Sequence, residues 1–100
     1  MSVTVINTYV RPNTNVAWFQ SDATFKAYNK VAYVKPGLRV SSTDQLSADG
    51  LTLTRTVVWK DPTSLAQFTS DPQVQTLLYE PRKAYHTANG ITMGEASVQA

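Results

Sequence analysis

The feature that most narrows the fold is a pair of strand-like runs joined by a tight turn. Leu38 to Leu46 and Leu51 to Lys60 flank Ser47-Ala48-Asp49-Gly50, and Asp-Gly accepts the positive φ angles of a two-residue hairpin turn. A hairpin is therefore expected in the middle of the chain. Before it, Val3 to Val10 is mostly β-branched or aromatic and ends at Arg11-Pro12-Asn13, which predicts a first strand. Ser21-Asp22 then caps a predicted helix reaching about Val34, where Pro36-Gly37 stops it, with Phe25, Tyr28 and Ala32 on one face. After the hairpin, Asp61-Pro62 and Asp71-Pro72 each set a capping carboxylate before a proline at the first helical position. Pro81 predicts a kink or restart, Asn89-Gly90 an end, and Ile91 to Val98 a last strand.

The order β, α, β, β, broken α, β leads to an α+β fold of the split βαβ, ferredoxin-like kind. It is a four-stranded antiparallel sheet with strands one and three central and the helices on one face. At 100 residues the chain is expected to be a single domain, residues 1–100, since two would each have too small a core.

Two rows of side chains compete for the helix-covered face. Val3, Val5, Asn7 and Tyr9 with Leu53, Arg55, Val57 and Trp59 form the bulkier row and are expected inside. The other row, Thr4, Ile6, Thr8 and Val10 with Thr52, Thr54, Thr56 and Val58, lacks the Lys and Glu of a solvated sheet. Thr92, Gly94, Ala96 and Val98 are expected to extend it. The charged fraction is only 16%, against roughly a quarter in ordinary soluble domains, so some surface is expected to be covered. A homodimer through this Thr-rich face is the simplest cover.

The net charge of +2 comes from scattered Lys and Arg with no run longer than Arg82-Lys83, so neither nucleic acid nor a membrane is an expected partner. There is no cysteine, which excludes disulfides and thiolate chemistry. The first residues alternate and lack the basic start and apolar run of a secretory signal, giving a cytoplasmic expectation.

Thr56-Val57-Val58-Trp59-Lys60-Asp61, then Ser64-Leu65 with Phe68, then Ser70-Asp71-Pro72, resembles the dimeric α/β-barrel superfamily, which includes antibiotic-biosynthesis monooxygenases, stress-responsive barrel proteins and haem-degrading monooxygenases. The resemblance spans nearly the whole chain. It implies two subunits closing their sheets into a barrel. The haem-degrading members carry an asparagine on strand one, a tryptophan in the second helix and a histidine ligand beyond it. Asn7 matches the first, but Phe68 and Leu78 stand at the other two positions, so the resemblance implies no haem, and no cofactor is expected.

One polar group breaks the apolar inner row. Asn7 is expected opposite Arg55, with Glu95 of the last strand on its other side. Either Arg55 and Glu95 form an ion pair bridged by Asn7, or the group addresses a ligand, because a buried unpaired charge is costly. In the second case Arg55 would hold a carboxylate or enolate oxygen and Asn7 would orient the molecule. Tyr9, Trp59 and Phe68 would wall the pocket. His86 is the lone histidine, without a neighbouring carboxylate motif, and is expected to be structural or a solvated cation near a helix end, so no metal is expected. The expected function is a non-catalytic homodimeric module binding a small molecule or a protein partner; the alternative is a cofactor-independent monooxygenase or isomerase acting on a small aromatic or enolisable substrate.

Overall fold

Three strands of eight residues carry the sheet: β1 (Val3–Val10), β2 (Arg39–Leu46) and β3 (Thr52–Trp59). The computed structural model describes all of residues 1–100. β2 and β3 form the hairpin, with Gly50 at φ 74° in the turn where a side-chain-bearing residue would be strained. β1 pairs antiparallel with β3 in the register expected from the alternation, setting Asn7 opposite Arg55 and Val5 opposite Val57. The strand order β2-β3-β1-β4 places β1 and β3 in the centre. The fold is α+β and ferredoxin-like.

The helices follow their capping signals. α1 (Ala23–Asn29) begins at Asp22, whose side chain accepts from the Phe25 N–H, and it runs on into a wide π turn over Lys30–Val34. α2 (Pro62–Ser70) and α3 (Pro72–Val74) start at the two Asp-Pro caps. A second π turn, Gln75–Tyr79, leads into α4 (Glu80–Asn89). The wide turn lies just ahead of Pro81, whose ring would otherwise press on the carbonyl of Leu77, and it lets the helix continue where the sequence predicts a kink or a restart. α4 closes at Gly90, whose φ of 70° is the left-handed cap favoured by glycine. No helix is long and apolar enough to cross a membrane.

The last strand departs from expectation. It is split into β4 (Thr92–Met93) and β5 (Ser97–Gln99), both along the free edge of β1. Met93 lies opposite Tyr9, yet Val98 lies opposite Val5, so one extra residue is accommodated between them. This bulge reverses the phase of the alternation. Ala96 and Val98, expected on the Thr-rich face, instead line the helix-facing side.

The core lies between sheet and helices, built on Val5, Phe25, Tyr33, Val57, Trp59, Phe68 and Val74. The Phe68 ring packs 4.7 Å from that of Trp59 and 5.0 Å from that of Tyr33, centroid to centroid. Only 12 of 100 residues are buried in the single chain, and much of the helix–sheet layer surrounds a cavity. On the far sheet face Thr4, Ile6, Thr8, Thr52, Thr54, Thr56 and Val58 are half-buried in the single chain.

Asp71 does more than cap. Its Oδ1 accepts from the Gln73 N–H, while Oδ2 accepts from the hydroxyls of both Tyr28 (2.5 Å) and Tyr33 (2.6 Å), tying α1 and its π turn to the α2–α3 corner. Burial opposes ionisation of this carboxyl, but the donated hydrogen bonds outweigh it and hold the group below the usual carboxylate range. Asp71→Asn keeps a capping oxygen but turns an amide N–H2 toward two phenols. It is expected to cost about 1–2 kcal/mol at neutral pH by urea denaturation. Because the folded carboxyl is depressed, its stabilisation is present above the unfolded value of about 4 and is lost as pH falls through the depressed one. Wild type and variant should therefore converge in acid; a gap unchanged from neutrality to about pH 3 would contradict this role.

Candidate functional site

Five of the six expected site residues, Asn7, Tyr9, Arg55, Trp59 and Phe68, line one cavity of about 520 Å³ between the sheet and the helices. The sheet delivers the first four from one face of the pleat at two-residue spacing, and α2 lowers Phe68 onto Trp59. Phe25, Leu78 and Tyr79 complete an aromatic and aliphatic wall.

Glu95 is not among them. It lies exposed in the bulge between β4 and β5. A regular continuation from Met93 would have set it beside Asn7, but the extra residue gives the inward position there to Ala96. The Arg55–Glu95 pair expected from the alternation therefore does not form. Arg55 pairs instead with Asp44, its neighbour on β2: Nε donates to Oδ1 at 2.8 Å and Nη2 to Oδ2 at 3.1 Å. That bidentate bond holds the Asp44 carboxyl below the usual range and raises Arg55 further above neutrality. With side chains 31% and 47% exposed, the pair is wet enough that its geometry matters more than its energy.

Two consequences follow for the polar row. Asn7 Oδ1 is left buried with no hydrogen-bond partner, and it is the only buried side-chain polar atom of which this is true. A buried acceptor without a donor costs on the order of 1–3 kcal/mol, a cost the polar row carries behind the cavity wall. Arg39, which the sequence reading did not single out, also enters the cavity. Its guanidinium lies 5.7 Å from the Trp59 ring and 5.8 Å from the Phe68 ring. Its side-chain hydrogen bonds are long ones, Nη1 donating to Asn29 Oδ1 at 3.5 Å and Nη2 to Ser42 Oγ at 3.4 Å. Burial, then the nearby charge of Arg55, pulls its pKa below the ordinary arginine value. Counting back from the turn could have found Asp44, since Leu46 opposite Leu53 implies Asp44 opposite Arg55, but not Arg39, which faces Trp59 only because the register shifts between Arg39 and Ser41 where straight counting would set Val40.

At the far end, Arg82 Nη1 donates to the Tyr9 hydroxyl at 3.4 Å. His86 is no helix-end cation. It is buried, with its ring 5.6 Å from that of Tyr9 and 6.4 Å from that of Phe19, and burial followed by the charge of Arg82 lowers its pKa, so the neutral imidazole is favoured. It lies outside the lining of the main cavity. No group of three His, Cys, Asp or Glu side chains could hold a metal ion.

With helices on one face of a β2-β3-β1-β4 sheet and a polar-flecked cavity between the layers, the structure can be set beside known proteins. SnoaB from Streptomyces nogalater, a cofactor-independent oxygenase, superposes with a TM-score of 0.61 at 16% identity, over 99% of this chain and 91% of its own. The likeness shows a shared ferredoxin-like α+β fold. A dimeric ferredoxin-like protein from an uncultured marine organism gives 0.61 at 10% identity, over 98% and 92% of the two chains. A monooxygenase from the gene ActVA-Orf6 of Streptomyces coelicolor, solved with nanaomycin D, gives 0.55 at 16% identity over 97% and 82%. No family model matches the chain, and no curated protein matches it either. At these identities the similarity concerns the fold.

Proposed function

We propose that the chain is a homodimeric module that takes a small, largely apolar molecule in the helix–sheet cavity, with two copies joined through the Thr-rich far face. The observation that carries the ligand reading is the aromatic-walled space of about 520 Å³ with Arg39, Arg55 and Asn7 in its lining. A space of this size and lining is typical of small-molecule sites, where a few polar groups fix orientation. The dimer reading draws on the uncharged far face, on the small buried interior of one chain and on a fold neighbour that is a dimeric ferredoxin-like protein.

The second reading is a cofactor-independent monooxygenase or isomerase. It is favoured by the two guanidiniums, Arg39 and Arg55, which would stabilise a developing enolate, and by SnoaB sharing the fold. Calorimetric titration with 2-naphthol tests the first reading. One equivalent should bind per chain, and Leu78→Trp, which fills the cavity from α4's approach, should abolish binding while the fold persists by circular dichroism. Failure of the wild type to bind, or a Leu78→Trp variant that binds as well, would sink the pocket. Oxygen uptake matched by loss of the naphthol would move the assignment to the enzyme.

A further inference from the structure

The ligand's charge can be read from the imbalance of the cavity wall. Lys26, Arg39, Arg55 and Arg82 line it against a single acid, Asp44, and that acid is already engaged by both oxygens with Arg55. Arg39 is thus a half-buried cation without a carboxylate partner, held over the faces of Trp59 and Phe68 with only two long contacts to neutral atoms. A partly buried charge in this state is better satisfied when an opposite charge joins it. Two aromatic faces beside a guanidinium also prescribe the shape of what joins it, since a flat ring can lie against Trp59 and Phe68 while its acid group meets the planar donor fork.

We propose that the cavity takes its ligand as an anion: a flat, mostly apolar carboxylic acid whose carboxylate lies on Arg39 and whose ring rests against Trp59 and Phe68. Arg55 keeps Asp44 and shapes the floor without being the primary anchor. This inference rests on the cavity being a ligand site, and the test separates the two.

Matched probes of one shape are 2-naphthoate, charged at neutral pH, and 2-naphthamide, its neutral counterpart. Titrated calorimetrically into the wild-type chain, 2-naphthoate should bind at least roughly tenfold more tightly than 2-naphthamide, the scale expected of a charge-assisted hydrogen bond in a partly buried site. In Arg39→Gln the preference should vanish while the amide still binds, and Arg39→Lys should retain part of it. A melting curve on each variant establishes that it is folded. Equal binding of acid and amide to the wild type would overturn the anion inference and leave the pocket standing. Binding of neither probe would overturn both. A preference for the acid that survives Arg39→Gln would remove Arg39 as the anchor and likewise overturn the proposal.

Discussion

Phe68→Ala should cost about 3–5 kcal/mol of folding stability, the range for deleting a fully buried aromatic side chain. Phe68 is 5% exposed and its ring meets those of Phe25, Tyr33, Trp59 and Tyr79 within 6.4 Å. One substitution therefore loosens α1, α2, the second π turn and β3 together. Domains of this size are stable by only about 5–15 kcal/mol in total, so about a fifth of the margin or more would go. The melting temperature would fall by roughly 12 °C or more. Urea denaturation reads it directly. A loss below about 1 kcal/mol would mean that the neighbouring rings collapse into the gap, and the cavity beside them could then not be rigid enough to hold a defined ligand.

Thr56→Lys should convert a dimer into single chains. Thr56 sits on the far face, between Ile6 of β1 and Thr43 of β2, so the new ammonium would enter the middle of the proposed contact between sheets. Stranding an unpaired charge there costs several kcal/mol, and at about 1.4 kcal/mol per tenfold the association weakens by roughly a hundredfold or more. Sedimentation velocity should show the wild type at about twice the 11.0 kDa chain mass and the variant at the chain mass. A wild type at 11.0 kDa, or a variant that keeps the doubled mass, would remove the Thr-rich face from the assembly.

How much of this was legible in the sequence depends on which strands have a strong alternation. Val5, Val57 and Trp59 alternate with Thr, so the inner face and the pairing of Asn7 with Arg55 follow from the pattern alone, and both are found. β2 offers no such contrast: Ser41, Ser42, Thr43, Asp44 and Gln45 are polar on both faces, and nothing in their hydropathy says which point inward. Asp44 was missed for that reason, although the hairpin turn already fixed its register; Arg39 lay out of reach of counting, because the register shift between Arg39 and Ser41 is what sets it opposite Trp59. The slip at Gly94–Ala96 is a different kind of failure. A bulge adds one residue without any composition change, and it moved Glu95 out of the cavity and Val98 in. His86 escaped because its burial is created by Phe19 and Tyr9, which are remote in sequence.

The account stands or falls on the cavity being open to a guest. A crystal structure of the wild-type chain soaked with 2-naphthoate reads this most directly. The predicted result is ring density against Trp59 and Phe68 with the carboxylate on the Arg39 guanidinium. The contradicting result is a filled core, with Leu78 and Tyr79 packed down onto Val57 and the Asn7 amide hydrogen-bonded to a neighbouring side chain.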